Sequence, residues 1–260
     1  MTRPMVLFGL LIWVASAALA QGQQWIGRDL SGSRIEGCNL SRSALVGGQW
    51  IAGLFSGVAM QQANMQSCSL QDAVLTDVNF GQARGERIDL TRVEMRASTL
   101  NRLTLRDCRG DDVTLTDVTL AGPKLSNARL TDVVWSRGRL SGKLENVELP
   151  RLRLTRCSGS ELTVDGGDVR EVKLGGFSAY RLTVDGLQVS SGSARFDNVQ
   201  ARSSRWYRVD LGGAQMERVD LRGARLQSCD LSNARLERCD IRGLTINGHN
   251  IEELIKKAER

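Results

Sequence analysis

Large apolar residues recur at every fifth position along most of this chain. From Trp25 to Leu140, Gly85 and Gly110 are the exceptions to this series. A second selected position lies two residues before each large one and holds mainly Ala, Val, Cys or Ile, as at Ala63 and Cys68. The other three positions of each unit are mainly polar. Each unit is therefore predicted to point one large and one small side chain inward and its polar remainder outward.

This period matches neither the turn of an α-helix, about 3.6 residues, nor the two-residue alternation of a strand. It is typical of a chain that turns a corner once per unit, so that four sides close a square coil. Stacked coils pair their backbones at about 4.8 Å and form a solenoid filled with layers of side chains. The phase loses one residue after Leu140 and gains two after Val189, and the three phases together predict about 11 coils.

The repeat also carries a family resemblance. The segment 229–243 reads CDLSN, ARLER, CDIRG, and the triplets that begin at Cys38 and Ala128 follow the same pattern. These units resemble the A-(D/N)-L-x-x unit of pentapeptide-repeat proteins, over about Trp25 to Gly248. The resemblance implies an all-β fold, a right-handed quadrilateral β-helix. The match is looser between Leu144 and Val189, where Val and Leu replace Ala at the small position.

The first segment, 1–20, is predicted to be a secretory signal peptide. Arg3 supplies the positive start, 5–14 is the apolar stretch, and Ala18-Leu19-Ala20 is a small-x-small cleavage site, so we expect cleavage after Ala20. Retention as a membrane anchor is the alternative, for which the apolar stretch is short. The mature chain is expected to be periplasmic or secreted, without a membrane span. Its domains are then the β-helix, 21–248, and a C-terminal segment, 249–260.

Both ends of a solenoid need protection because the terminal coils expose backbone and core. At the C-terminus, Asn250 is a predicted N-cap with Glu253 three residues later. We expect a short capping helix over 250–259 whose apolar face closes the core; this face consists of Ile251, Leu254, Ile255 and Ala258. The N-terminal end shows no such cap. Either it is a frayed, monomeric end or it allows self-association or binds a partner.

Six cysteines in an exported chain would ordinarily suggest disulfides. All six occupy the inward small position, and no pair is one coil apart in a constant phase; they are Cys38, Cys68, Cys108, Cys157, Cys229 and Cys239. We therefore predict six buried thiols that act as small apolar side chains and form no disulfide. No CxxC motif suggests a zinc site, and no metal or cofactor is expected.

The sequence offers little for catalysis. The single histidine, His249, lies beside the predicted cap helix and is interpreted as a turn residue. We find no glycine-rich phosphate loop, nucleophile elbow or paired-carboxylate motif. The chain is therefore not expected to be an enzyme.

Charged side chains are expected to stack in columns along the rod, one coil apart. Asp210 should lie near Asp230 and Arg205 near Arg225. The other pairs are Asp220 with Asp240 and Arg218 with Arg238. Like charges in register destabilise unless neighbours compensate, and Glu217 and Glu237 are expected to do so for Arg218 and Arg238. The simplest interpretation is a solvated surface of mixed charge.

One surface differs in composition. After the second phase change, Tyr207 is expected to point outward among arginines, and Tyr180 lies outward about one coil earlier. The candidate patch comprises Tyr180, Arg181, Arg202, Arg205, Tyr207 and Arg208. Exposed Tyr with Arg is typical of protein-binding hot spots and is also able to hold a polyanion. The alternative is that Tyr covers an imperfect corner and the arginines are simply solvated.

These features lead to three hypotheses. The first is a non-enzymatic exported scaffold or protein-binding module that uses the side faces of the rod, with another cell-envelope protein as partner. The second is a periplasmic antagonist or immunity protein that masks a toxin or enzyme, and the third is an envelope polyanion binder. Gyrase-protecting members of the resembled family are acidic cytoplasmic DNA mimics. This chain has a net charge of +6 and a predicted signal peptide, so no gyrase or DNA-mimic role is expected.

Overall fold

The computed structural model of this chain describes residues 12–13, 22–166, 171–180, 182–186 and 193–259. Apart from 12–13, the predicted signal peptide lies outside these residues. The described strands are β1 (Ile12–Trp13), β2 (Gln24–Ile26), β3 (Arg34–Glu36), β4 (Ala44–Val46), β5 (Leu54–Ser56), β6 (Asn64–Gln66), β7 (Val74–Thr76), β8 (Arg84–Glu86), β9 (Glu94–Arg96), β10 (Thr104–Arg106), β11 (Arg109–Asp111), β12 (Thr114–Thr116), β13 (Thr119–Ser126), β14 (Arg129–Thr131), β15 (Val133–Ser136), β16 (Arg139–Glu145), β17 (Arg151–Thr155), β18 (Ser158–Asp165), β19 (Glu171–Gly175), β20 (Ser178–Tyr180), β21 (Thr183–Asp185), β22 (Ser193–Asp197), β23 (Arg205–Tyr207), β24 (Gln215–Glu217), β25 (Arg225–Gln227), β26 (Arg235–Glu237), β27 (Thr245–Ile246) and β28 (His249–Asn250). One helix, α1 (Ile251–Ala258), follows them.

The strands form the sides of a solenoid. Side 1 is a sheet in the order β1-β3-β5-β7-β9-β12-β15-β17-β19-β22-β24-β26. Side 2 is a sheet in the order β2-β4-β6-β8-β10-β13-β16-β18-β21-β23-β25-β27-β28. Side 3 carries β11, β14 and single bridges such as Gln49–Ser69, and side 4 carries bridges such as Asn79–Thr99. Except for β27–β28, all the paired strands are parallel, as expected for stacked coils.

The predicted all-β fold is confirmed: the chain is a solenoid of about ten turns with one short C-terminal helix, close to the 11 coils counted from the repeat. Both changes of phase are visible in the pairing. Leu125 pairs with Leu144, one residue short of a regular coil, and Leu174 pairs with Phe196, two residues beyond it. Leu144 and Phe196, the first large inward residues after the two changes of phase, are both buried.

The corners explain why polar residues follow each strand. Asp77, directly after β7, has φ 54°, in the left-handed region, and its amide donates to the carbonyl oxygen of Arg96 in the next coil at 3.1 Å. Asp and Asn tolerate this conformation better than other non-glycine residues. Because each corner amide is bonded to the neighbouring coil, stacking stabilises a backbone geometry that is unfavourable in isolation.

Side chains from all four sides fill the interior. Leu75 and Met60 are fully buried, and Trp50 stacks on Phe55 with ring centroids 5.1 Å apart. Apolar burial of this kind is the main stabilising contribution in a solenoid. Within the described residues, no helix is long and apolar enough to span a membrane.

All six cysteines are described, and none forms a disulfide, as predicted. Each occupies the inward small position and donates its thiol proton to the carbonyl oxygen two residues earlier, for example from Cys108 Sγ to Arg106 at 3.2 Å. The prediction of full burial is wrong for Cys229 and Cys239, which are half-buried. Both lie close to the C-terminal end, where fewer coils cover them.

The C-terminal helix begins where the sequence predicts. The Asn250 side chain accepts a hydrogen bond from the Glu253 amide at 3.3 Å, which is the expected N-cap. The helix covers less of the core than predicted, however. Ile251 packs against the core, but Leu254 and Ile255 are 47% and 43% exposed. The apolar end of the rod is therefore only partly closed.

Candidate binding surface

The outward side chains of β23 lie on side 2 of the rod. Strand alternation points Trp206 into the core, where it is 7% exposed, and leaves Tyr207 40% exposed, as predicted. The Trp206 indole Nε1 donates to Ser204 Oγ at 2.7 Å. The Trp206 and Phe196 rings pack edge to face, with their centroids 6.1 Å apart. These contacts fix the strand that presents Arg205 and Tyr207.

Arg208 holds Tyr207 in place from the adjacent corner. Its guanidinium carbon lies 4.8 Å from the centre of the Tyr207 ring, a cation–π contact. The same guanidinium donates to Asp185 Oδ1 from Nη2 at 2.8 Å and from Nε at 3.1 Å. These hydrogen bonds, with the nearby Asp185 charge, raise the pKa of Arg208. Tyr207 is thus an exposed aromatic side chain that packs against an ion-paired arginine.

Arg205 lies directly beside Arg225 of the next coil, as the predicted column requires. Both side chains are exposed, and neither forms an ion pair within the part of the chain that the structure describes. The column ends at Thr183 on one side and at Thr245 on the other. The result is a pair of uncompensated cations next to Tyr207.

The other stacked columns have different partners. Asp220 and Asp240 form ion pairs with Arg222 and Arg242, whereas Asp210 and Asp230 accept hydrogen bonds from the backbone amides of Gly212 and Ser232. Asp220 lies beside Asp240, and Asp210 beside Asp230, as predicted. Glu217 contacts both Arg218 and Arg238, at 2.7 and 3.6 Å, which confirms its predicted compensating role. The same prediction is wrong for Glu237, which forms no ion pair within the described residues.

Arg202 lies apart from the pair on side 2. Its Nε bonds Asp220 on side 4, where Arg222 also donates to Asp220 Oδ2 at 2.7 Å. The Arg222 hydrogen bond is the main reason that the pKa of Asp220 falls far below its usual range. Arg202 is therefore one member of a compensated Arg–Asp ladder rather than a free cation.

The structure brings together part of the candidate patch that the sequence indicates. Arg205, Tyr207 and Arg208 are neighbours, and Arg225 joins them although the sequence reasoning did not include it. The sequence already held the information needed to include Arg225, because the predicted stacking of Arg205 and Arg225 places both residues on the same surface. Arg181 and the side chain of Tyr180 lie outside the described residues, so their membership stays a prediction.

Two other polar clusters do not form a better site. Asp111, Asp112 and Asp132 lie together, with their carboxylate oxygens within 4.8 Å of one another, but Arg151 donates to Asp132 and neutralises part of this charge. The trio is exposed or half-buried and holds no histidine, so it carries no metal assignment.

A groove of about 530 Å³ also runs along side 3, past Asp89 and Arg109. Asp89 is 8% exposed and accepts hydrogen bonds from Thr91 Oγ1 at 2.7 Å and Arg109 Nη2 at 3.0 Å. Burial opposes ionisation, but the hydrogen bonds outweigh it and lower the pKa of Asp89. Because its carboxylate is already satisfied, Asp89 stabilises the stack and has no oxygen left for a ligand.

One protein-family model matches part of this chain. The model of the family described as pentapeptide repeats matches 54–84 and 207–243, with eight copies. The second match contains Tyr207, Arg208 and Arg225. No curated protein matches the chain.

Several solved structures show a distant likeness. HetL, a pentapeptide repeat protein involved in heterocyst differentiation regulation from the cyanobacterium Nostoc sp. strain PCC 7120, is 16% identical over 85% of this chain and 90% of its own, with a TM-score of 0.38. QnrB1, a plasmid-mediated fluoroquinolone resistance protein, is 12% identical over 92% and 96%, with a TM-score of 0.37. The periplasmic alginate epimerase AlgG is 10% identical over 86% and 73%, with a TM-score of 0.31.

Proposed function

We propose that this chain, which matches the pentapeptide-repeat family model over 54–84 and 207–243, is a non-enzymatic binding protein that uses a side face of its rod. The binding surface comprises Arg205, Arg225, Tyr207 and Arg208. The family is usually non-catalytic, and the two polar clusters described above are wholly or partly compensated by neighbouring arginines. The rod thus offers a surface for recognition.

One observation supports this proposal most strongly: two arginines in register, with no ion pair among the described residues, lie beside an exposed tyrosine that contacts Arg208. Tyr and Arg dominate binding energy in protein interfaces because they combine apolar area with charge or hydrogen bonding. The Arg208 contact restrains the Tyr207 ring before binding, which reduces the entropy lost when a partner orders it. We expect the partner to present carboxylates near an apolar contact.

The length of the cationic column favours a protein over a linear polyanion. Threonines bound the column at both ends, so it extends over two coils. A polyanion-binding groove follows its ligand with many cations along the strand. A compact acidic protein surface fits two cations and one tyrosine better. The exported scaffold and the antagonist that masks a toxin or enzyme share this surface chemistry, and the predicted signal peptide supports a partner in the cell envelope.

The test is capture from the envelope fraction by the wild-type chain and by the Arg205→Ala/Tyr207→Ala/Arg225→Ala variant. We expect the triple variant to lose the captured protein. A matched control, Arg92→Ala/Arg137→Ala, removes two arginines that pair with Asp72 and Asp117 elsewhere on the rod, and it should retain that protein.

Salt distinguishes the remaining hypotheses. Binding to a polyanion should weaken steeply as ionic strength rises, whereas a shape-complementary protein contact should change much less. If every captured partner survives the triple variant, the proposed surface is not the binding site. If the wild-type chain loses every captured protein at moderate salt, the polyanion hypothesis replaces the proposed protein-binding function.

A further inference from the structure

The interior of the rod is less completely filled in its middle coils than near its start. Leu115, at the centre of β12, points inward and has coils on both sides, yet it is only half-buried. Leu152 in β17 and Val164 in β18 are inward residues with the same partial burial. At the equivalent position of β7, Leu75 is fully buried. Space between the inward side chains of the middle coils explains this difference.

This space is a cavity along the axis of the rod. It has a volume of about 160 Å³, and its described lining residues lie between Leu115 and Leu211. Each of them is Leu, Val, Phe or Trp. The inward columns of all four sides contribute to the wall, for example with Leu154 (side 1), Leu144 (side 2), Leu149 (side 3) and Leu140 (side 4).

The sequence explains why these coils leave space. On side 2, the inward column carries Val164 and Val184 in successive coils. On side 4, it carries Gly159 and Ala179 directly after Leu140. Leucine or a larger residue occupies most other places in these two columns. The middle coils therefore hold less side-chain volume on two of their four sides.

Two aromatic rings return only part of this volume. The Phe177 ring lies over Gly159, where an added Cβ would meet its Cζ at 3.4 Å. The Trp135 indole extends toward the corner at Gly138, where an added Cβ would clash with its Nε1. These rings use the room that the two glycines leave at the wall of the cavity, and the space along the axis remains.

An apolar cavity of this size suits an apolar ligand better than water. A buried water molecule needs about two to four polar partners, and the leucine and valine side chains that form most of the described wall offer none. A cavity of about 150 Å³ lined by Leu, Ile and Phe stays dry and binds benzene or xenon. The cavity in this rod has nearly the same volume and the same kind of wall.

We propose that the middle of the rod binds a small uncharged aromatic hydrocarbon, of about the size of benzene, inside this cavity. Burial of the ligand removes its apolar surface from water and gives the wall residues the contacts that they lack. Four aromatic rings line the cavity, and ring-to-ring contacts favour an aromatic ligand over an aliphatic one; these rings belong to Trp135, Phe177, Phe196 and Trp206. The site lies inside the rod and is separate from the proposed binding surface.

The first experiment is thermal unfolding of the full chain at increasing concentrations of benzene, with phenol as the matched ligand. A ligand that binds the folded chain and not the unfolded one raises the melting temperature as its concentration increases, and benzene should do so. Phenol has nearly the same shape, but its hydroxyl finds no partner on an apolar wall. Phenol should therefore bind at least about tenfold more weakly than benzene.

Cavity-filling variants test where benzene binds. Val164→Leu/Val184→Leu adds one methylene group at each of two wall positions, and it should weaken benzene binding at least about tenfold without lowering the melting temperature of the free protein. Val46→Leu/Val74→Leu makes the same change at two outward, half-buried strand positions. This matched control should bind benzene as the wild type does.

Methyl NMR of the wild-type chain gives a second readout that needs no variant. The ring current of bound benzene should shift the methyl resonances of Leu144, Val164 and Val184 and leave those of Leu75 unchanged. A melting temperature that does not respond to benzene overturns the proposal. So do methyl shifts spread evenly along the rod, an unchanged benzene affinity in the filled variant, or phenol that binds as tightly as benzene.

Discussion

Leu75 and Leu236 occupy the same position of the repeat on the same side of the rod, yet their environments differ. Leu75 in β7 has coils on both sides and is fully buried, while Leu236 in β26 has one neighbouring coil and is 41% exposed. The five-residue repeat unit determines whether a side chain points into the rod or toward solvent. Burial comes from the coils above and below it, so identical units differ in energy according to their place in the stack.

The same contrast holds for polar groups. Asp89 in the interior is 8% exposed and bonded to Thr91 and Arg109. Asp240 in the last coil accepts from Arg242 Nε at 2.9 Å but is much more open to solvent. A side chain in an interior coil is therefore expected to contribute more to the free energy of folding than a comparable side chain in the last coil.

The largest expected effect concerns the two leucines. Leu75→Ala should lower the free energy of unfolding by about 2–5 kcal/mol because it leaves a cavity in a packed interior. Leu236→Ala should lower it by about 1 kcal/mol or less because the site is open and no enclosed cavity forms. Urea denaturation of dilute protein, followed by circular dichroism, measures both values.

Leu75→Met is the control for packing because it conserves volume, and it should cost less than about 1.5 kcal/mol. Equal losses for Leu75→Ala and Leu236→Ala would mean that the last coil is as well packed as the interior. The contrast between interior and end coils would then fail.

The sequence predicts the fold well because its repeat controls side-chain direction at nearly every position. The inward series, the two changes of phase and the stacked pairs such as Asp220–Asp240 are all confirmed. These features depend on local spacing, which the sequence shows directly. Half-burial of Cys239 and exposure of Leu236 were missed because they depend on the number of neighbouring coils.

The candidate surface was less predictable, for a physical reason. The sequence shows that Arg202, Arg205 and Arg208 point outward, but the partner of each arginine depends on which side carries it. Arg202 meets Asp220 on side 4, and Arg208 meets Asp185 at a corner, whereas Arg205 meets another arginine. Pairing across coils decides which cations remain available.

A smaller effect is expected from the two aspartates. Asp89→Ala removes the acceptor for several hydrogen bonds in a nearly buried place and should lower the free energy of unfolding by about 1–3 kcal/mol. Asp240→Ala should have little effect because solvent screens its ion pairs. Thermal or urea unfolding of the two variants at neutral pH tests this difference.

The pH dependence follows from the lowered pKa of Asp89. A carboxyl whose pKa is lowered on folding stabilises the protein above its unfolded pKa, about 3.9, and loses that contribution as the pH falls through the lower folded value. The gap between wild type and Asp89→Asn should therefore be constant near neutrality and shrink in acid below about pH 4. A gap that grows on acidification would contradict this assignment.

Cysteine labelling tests the difference between interior and end coils with the smallest perturbation, because the fold is intact until a thiol reacts. Burial raises the pKa of both Cys108 and Cys239, so the reactive thiolate is scarce at neutral pH in each. Cys108 is buried inside the rod, whereas Cys239 is half-buried near its end. Native maleimide labelling of dilute protein, followed by mass spectrometry, should modify Cys229 and Cys239 well before the interior cysteines. In denaturant all six should react alike. Equal native rates would show that interior coils open as readily as the last one, because local opening then controls access everywhere.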